Sequence, residues 1–147
     1  MLYVAYGSNM NLEQMAFRCP NSKVVCNGKL KGYKLVFNVH ADVIKTNKEH
    51  DEVPVVVWNI ADEDWYRLDM YEGYPTYYGR EIIDVILDSG KTKKAMVYTM
   101  TKNRKGICPP DKNYFDCILK GYNDNGIDVE YLYKALEHSC KNEMVKG

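Results

Sequence analysis

The sequence carries no excess of charge and no long apolar run, and each of these absences excludes a class of protein. Its 147 residues hold 20 Lys and Arg against 20 Asp and Glu, so the formal net charge is zero. A nucleic-acid-binding domain needs a basic surface, so nucleic acid is not an expected partner. The longest apolar stretch, 53–58, is far too short to span a membrane and contains Pro54. The N-terminus also lacks the pattern of a signal peptide.

The five cysteines and three histidines form no pattern of a structural or metal site. The cysteine count is odd and no two cysteines have the C-x-x-C spacing, so neither a disulfide framework nor a zinc site is indicated. His40, His50 and His138 are scattered and show no metal-ligand spacing. We therefore expect reduced thiols, no bound metal, a cytoplasmic location and no membrane partner.

Phenylalanine is scarce, and tyrosine takes its place. The chain has 13 Tyr and only 3 Phe. A tyrosine packs like any aromatic residue but keeps a hydrogen-bonding hydroxyl at its tip. Half-buried tyrosines suit a polar pocket with aromatic walls, although packing at the edge of the core explains most of the thirteen.

The chain reads as one domain of class α+β. Strand patterns dominate its middle, and helices are inserted and appended without regular alternation. Strands are predicted over 2–6, 24–26, 30–38, 43–44, 53–60, 77–87 and 94–100, and helices from Asn11, from a cap at Asp62 to Glu72, over 111–122 and after a cap at Asp128. We predict a small, mostly antiparallel curled sheet or barrel with peripheral helices, spanning residues 1–138, and a flexible tail over 139–147.

The first strand pattern stops at Gly7-Ser8-Asn9, and a helical pattern follows from Asn11. A tight loop between a strand and a helix can expose backbone N–H groups that bind a carboxylate, a phosphate or a developing oxyanion. The alternative is that these residues only form the turn and cap the helix. Ser8 could be read as a nucleophile, but Tyr6 stands where a G-x-S-x-G motif requires glycine.

Glu72 is the second candidate for chemistry. With helical spacing it shares one face with Trp65, Leu68 and Asp69, so it points inward at the C-terminal end of its helix, which Gly73 terminates. Burial and the negative end of the helix dipole both raise a carboxylate pKa toward the range of a general base at neutral pH. The alternatives are that Glu72 reaches solvent past Gly73 or pairs with Arg80.

Two motifs together resemble the gamma-glutamylcyclotransferase family. One is Tyr6-Gly7-Ser8-Asn9 directly after the first strand, and the other is LDMYEGYP at residues 68–75. Weaker similarities are the segments 97–100 and 125–131. The order of elements is similar over residues 1–138, nearly the whole chain.

This resemblance implies a small barrel with flanking helices and no metal or organic cofactor. It implies release of a γ-glutamyl group as 5-oxoproline, which frees the attached amine. The matching positions make Tyr6, Gly7, Ser8 and Asn9 the substrate-binding loop and Glu72 the general acid/base. Tyr98 and Tyr131 match positions that line the family's pocket. The expected partner is a small γ-glutamyl substrate, and the chain is expected to be a monomer or a homodimer.

Three points stay open in the sequence. The N–H groups of the loop could hold either the oxyanion or the α-carboxylate of the substrate. Asn9 favours the branch of the family that acts on γ-glutamyl amino acids over the relatives that act on γ-glutamyl amines or on glutathione. The alternatives to a γ-glutamyl cyclotransferase of amino-acid substrates are a non-catalytic module that binds a small carboxylate and a biosynthetic enzyme that removes a γ-glutamyl protecting group.

Overall fold

The computed structural model describes residues 1–104 and 106–146, in which five strands form a closed barrel. The strands are β1 (Leu2–Ala5), β2 (Lys23–Lys31), β3 (Tyr33–Asn38), β4 (His40–Lys45), β5 (Glu52–Asn59), β6 (Tyr78–Leu87) and β7 (Thr92–Met100). The helices are α1 (Leu12–Arg18), α2 (Trp65–Glu72), α3 (Lys112–Asp124) and α4 (Glu130–Lys146). Short 3-10 turns lie at Ser8–Met10, Asp62–Asp64 and Lys102–Arg104.

The barrel has the strand order β1-β5-β2-β6-β7 and closes where β7 pairs with β1. This closing pair is parallel, with Tyr3 opposite Met96, and the other pairs of the barrel are antiparallel. The hairpin of β3 and β4 forms a separate two-stranded sheet. The predicted fold class, a mostly antiparallel curled barrel with peripheral helices, is confirmed.

Strand β5 crosses the centre of the core. It pairs with β1 on one side and β2 on the other, and its valines at 53, 55, 56 and 57 are all fully buried. A strand enclosed on both faces reads as a continuous apolar run, which is why this segment was the clearest strand in the sequence. Pro54 lies near its beginning, as predicted.

The strand predicted over 30–38 is wrong as a single element. Gly32 has φ 79°, in the left-handed region that glycine adopts without steric cost, and it separates β2 from β3. Its carbonyl accepts from the N–H groups of Thr46 and Asn47, which closes the β3–β4 hairpin against the end of β2. The short strands predicted over 24–26 and 43–44 are parts of the longer β2 and β4.

Helix α2, which carries Glu72, ends as predicted and begins differently. Gly73 terminates it with φ 65°. The cap predicted at Asp62 is wrong. The chain enters through a 3-10 turn, and the buried Asp64 accepts from the N–H of Asn21 at 2.9 Å and the hydroxyl of Ser22 at 2.8 Å. This carboxylate ties the start of α2 to the segment after α1.

Helix α3 supports the turn at Ser8–Met10 from behind. Gly121 lies against that turn so closely that a Cβ atom there would stand 2.8 Å from the backbone nitrogen of Asn11. Asn125 donates to the carbonyl of Met10 at 2.8 Å, and Asn11 donates to the carbonyl of Cys117 at 3.0 Å. The position of the turn therefore depends on α3, far along the chain.

Helix α4 is longer than its sequence pattern predicts. Asp128 accepts from the N–H of Glu130 at 2.9 Å, so the predicted cap is confirmed. The helix continues to Lys146, and Ser139, where the flexible tail was expected to begin, is buried and donates to the carbonyl of Leu136. Residue 147 lies outside the described residues, and the flexibility of 139–147 stays a prediction. Within residues 1–104 and 106–146, no helix is both long and apolar enough to cross a membrane.

Candidate active site

Glu72 lies at the last position of α2, one turn after the fully buried Leu68, and its side chain is largely enclosed. The alternative in which Glu72 pairs with Arg80 is wrong. Arg80 instead binds Asp69, with its Nε donating to Oδ1 at 2.9 Å. The hydroxyl of Tyr98 donates to the same carboxylate oxygen at 2.5 Å. Asp69 therefore neutralises Arg80, and Glu72 faces the interior of the site.

Asn9 is the direct partner of Glu72. Its Nδ2 donates to Oε1 of Glu72 at 3.0 Å and to the hydroxyl of Tyr3 at 2.9 Å, while its Oδ1 accepts from Arg18. Because an amide oxygen can only accept and a guanidinium can only donate, Arg18 fixes which end of the amide faces Glu72. The motif residue Asn9 thus presents a donor to the carboxylate.

Arg18, the last residue of α1, joins the two motifs and was missed in the sequence. Its guanidinium donates to the hydroxyl of Ser8 at 3.0 Å, to Oδ1 of Asn9 and to the hydroxyl of Tyr71. The guanidinium carbon also lies 3.3 Å from the centre of the Tyr71 ring. A basic residue in the last turn of the helix that follows the loop is a weak signal, because helical spacing alone does not show that it points back to the loop.

The carboxyl group of Glu72 titrates near neutral pH. Burial raises its pKa from the ordinary value of 4.5 to about 7. The charge of Arg18 and the hydrogen bond from Asn9 act in the opposite direction, since both stabilise the carboxylate. At neutral pH the group can therefore both accept and return a proton, which is what a general acid/base requires.

Glu72 stands between two adjoining spaces. The inner recess, of about 30 Å³, is lined by Glu72, the predicted loop residues Tyr6, Gly7, Ser8 and Asn9, and also Tyr3, Ala41, Tyr78, Tyr98 and Tyr114. The outer cavity, of about 430 Å³, is lined by Ser8, His40, Met70, Tyr71, Glu72, Gly73, Tyr77, Tyr78 and Tyr114. The structure therefore brings Glu72, Tyr98 and the whole loop to one place.

Residues 7–9 of the turn line the inner recess, and their backbone N–H groups are not used inside the turn itself. The first hydrogen bond of the 3-10 turn runs from the N–H of Met10 to the carbonyl of Gly7 at 3.0 Å. The N–H groups of residues 7–9 therefore take no part in the hydrogen bonds of the turn. Capping of α1 falls to Asn11, whose Oδ1 accepts from the N–H of Gln14 at 3.0 Å. Of the alternative role for Gly7, Ser8 and Asn9, the cap of α1 is therefore wrong, whereas the turn is present.

Tyrosines form about half of the walls of the two spaces. Seven of the thirteen line the recess or the outer cavity: Tyr3, Tyr6, Tyr71, Tyr77, Tyr78, Tyr98 and Tyr114. Buried hydroxyls among them bind the backbone, since Tyr6 donates to the carbonyl of Tyr98 at 2.7 Å and Tyr78 to that of Ala41 at 2.5 Å. The aromatic pocket suggested by the excess of tyrosine is present.

His40 is a second residue of the site that the sequence did not reveal. Its Nδ1 lies 2.7 Å from the hydroxyl of Tyr77, and burial lowers the pKa of its imidazole. The spacing of the histidines in the sequence does not indicate that His40 lines the cavity, because the pairing of β4 with β3 is what brings it there. Within residues 1–104 and 106–146, no three potential metal-ligating side chains lie together.

Tyr131 does not join the other predicted site residues. It lies in α4, is 38% exposed, and lines a third cavity of about 490 Å³ together with Lys34, Leu35 and His138. That cavity shares no lining residue with the inner recess or the outer cavity. The structure therefore does not bring Tyr131 together with the other predicted site residues, because α4 packs against β3.

Comparison with known proteins assigns the family. The family model described as gamma-glutamyl cyclotransferase, AIG2-like, matches residues 3–116. The chain belongs to this family. It is 31% identical over 144 residues to the gamma-glutamylcyclotransferases of Homo sapiens and of Bos taurus, covering 90% of this chain and 76% of each relative.

A solved structure confirms the assignment at the level of the fold. A gamma-glutamyl cyclotransferase of 28% sequence identity superposes with a TM-score of 0.81, covering 92% of this chain and 85% of the other. The chain is thus an enzyme of the gamma-glutamyl cyclotransferase family.

Proposed function

We propose that this enzyme releases 5-oxoproline and a free amine or amino acid from a γ-glutamyl substrate, with Glu72 as the general acid/base. The observation that carries the proposal is the position of Glu72. Its carboxyl group, with a pKa of about 7, lines the same small recess as the turn at residues 7–9. A base and a set of fixed N–H donors facing one space are what this reaction needs.

The reaction is an intramolecular transfer of an acyl group. The α-amine of a γ-glutamyl group is mostly protonated at neutral pH, and the Glu72 carboxylate takes one of its protons. The free amine attacks the γ-carbonyl carbon and closes a five-membered ring. The bond from that carbon to the leaving nitrogen then breaks, and the leaving nitrogen takes up the protons that the attacking nitrogen loses, through Glu72. No water is consumed and no oxidant is needed.

The protein's main contribution is to fold the substrate and hold the proton carrier in place. A well-oriented intramolecular attack needs little more than a reactive conformer. Asn9 holds one oxygen of Glu72 at 3.0 Å, which orients the carboxylate for the amine. The N–H groups of residues 7–9 supply the donors for a negative group of the substrate, either the oxyanion of the tetrahedral intermediate or the α-carboxylate.

The test is the formation of 5-oxoproline from a panel of γ-glutamyl dipeptides, measured by liquid chromatography with the released amine as a second product. The proposal predicts equal amounts of the two products. Tight binding of glutamate or 5-oxoproline without turnover of any member would replace it with the non-catalytic binding module. Turnover confined to an amine that is not an amino acid would favour the biosynthetic alternative.

A further inference from the structure

The outer cavity adjoins the recess in which the reaction is proposed to occur, so the residues that line it indicate which leaving amine the enzyme accepts. This inference rests on the proposed function. Ser8, Glu72, Tyr78 and Tyr114 line both the inner recess and the outer cavity. If the γ-carbonyl is attacked beside Glu72 and the turn, the leaving nitrogen sits at this shared boundary. Because a recess of about 30 Å³ has room for about one water, part of the γ-glutamyl group also occupies the outer cavity, and the remainder of the leaving amine extends into the rest of that cavity.

The walls of the outer cavity are aromatic and nearly free of charge. Besides Glu72, its lining contains no Lys, Arg, Asp or Glu side chain among residues 1–104 and 106–146. The ring of His40 meets the ring of Tyr114 edge-on at 4.9 Å and that of Tyr77 at 5.6 Å. Such a set of mutually packed rings is rigid and offers ring faces and edges to a ligand.

Among the described residues that line the outer cavity, no side chain offers a cation to an anionic side group of the leaving amine. Arg18, the nearest cation on α1, already binds Ser8, Asn9 and Tyr71. Burial lowers the pKa of His40, so its imidazole is neutral at neutral pH. The pKa values of the tyrosines at 71, 78 and 114 are raised, so they too are neutral. A carboxylate on the side group of the leaving amine would lose hydration in this space without meeting a cation in its lining.

We infer that the outer cavity selects a leaving amine with an uncharged aromatic or extended apolar side group. Two kinds of leaving amine carry such an aromatic group: an aromatic amino acid, and an aromatic amine without a carboxylate. Met70 lies at the outer cavity with 65% of its surface exposed, and its flexible thioether suits an apolar group at this opening.

The first experiment measures kcat/KM for a matched series: γ-Glu-Phe, γ-Glu-Ala, γ-Glu-Glu and γ-glutamyl-phenethylamide. The aromatic members should exceed γ-Glu-Ala by about tenfold, and γ-Glu-Glu should fall below it. The ratio of γ-Glu-Phe to γ-glutamyl-phenethylamide separates the two sources. A γ-Glu-Glu value equal to or above that of γ-Glu-Phe would overturn the inference while leaving the proposed function intact. Absence of 5-oxoproline from every member would remove both.

The second experiment changes the charge at the opening. Met70→Lys adds a cation to the lining, so it should raise kcat/KM for γ-Glu-Glu about fivefold or more relative to γ-Glu-Phe. Tyr66→Lys is the matched control, because Tyr66 lies one helical turn earlier on α2, is 72% exposed and does not line the cavity. Tyr66→Lys should leave the ratio unchanged. A ratio that Met70→Lys does not move would place the leaving group elsewhere.

Discussion

Replacing Arg18 by glutamine should move the pH dependence of 5-oxoproline release to higher pH. Arg18 reaches Glu72 through Asn9, and its positive charge holds down a pKa that burial raises. Six other titratable groups interact electrostatically with Glu72, and all have raised pKa values and are neutral at pH 7: Tyr3, Tyr6, Cys19, Tyr71, Tyr78 and Tyr114. Removal of the Arg18 charge should therefore raise the pKa of Glu72.

The size of the shift follows from the geometry. Asn9 bridges the two groups, so the charges lie roughly 7 Å apart, and at an effective dielectric constant of about 20 they interact by about 2 kcal/mol. Arg18 is partly exposed, so solvent reduces this to about 1 kcal/mol, or about one pH unit. The ionised fraction of Glu72 at pH 7 would fall from about one half to about one tenth, and kcat/KM by about fivefold.

The assay is the pH profile of kcat/KM for one γ-glutamyl dipeptide. The wild-type profile should rise through about pH 7, because Glu72 must be ionised to accept the proton. Arg18→Gln should shift this rise to about pH 8. Arg18→Lys keeps the charge and should not shift it, and neither should Arg67→Gln, which removes an exposed charge from α2. A profile that Arg18→Gln lowers evenly at all pH values would refute the electrostatic reasoning.

Two further predictions concern stability. Glu72→Gln should raise the free energy of unfolding by about 3 kcal/mol at pH 8 and by nothing at pH 4. The reason is that a carboxyl group whose pKa is about 7 in the folded protein and 4.5 in the unfolded chain destabilises the fold only as pH rises from 4.5 through 7. Equal differences in urea unfolding at both pH values would contradict this. Gly121→Ala should lower the free energy of unfolding by about 1–3 kcal/mol and reduce activity, because the added Cβ atom would collide with the backbone of Asn11. Thermal unfolding measures the effect. Gly79→Ala is the control, because a Cβ atom there meets nothing closer than 3.9 Å.

The parts of the site that local patterns determine could be predicted. The strand, the turn and the helix at the start of the chain follow from an apolar run that Gly7-Ser8-Asn9 interrupts. The inward direction of Glu72 follows from its helical spacing to the buried Leu68, and Gly73 ends the helix in the left-handed region. Each of these features depends on residues within about two helical turns of one another.

The parts that depend on distant contacts could not be predicted. Arg18 belongs to the site because α1 turns its last residue back toward the loop, and His40 because the β3–β4 hairpin carries it to the cavity. Tyr131 was assigned to the pocket by matching a family position, whereas α4 packs on β3 and places it on another cavity. The break at Gly32 depends on a left-handed backbone conformation that the alternating pattern on both sides of it conceals.

The most direct test of the central claim is the rate of 5-oxoproline release by Glu72→Gln at pH 8, compared with wild type and with Glu63→Gln, an exposed glutamate just before α2. A glutamine cannot take the proton from the α-amine, so the rate should fall by about 10²–10⁴-fold. Glu63→Gln should keep the wild-type rate, and circular dichroism should show all three proteins folded. Release at the wild-type rate by folded Glu72→Gln would contradict the assignment of Glu72 as the acid/base.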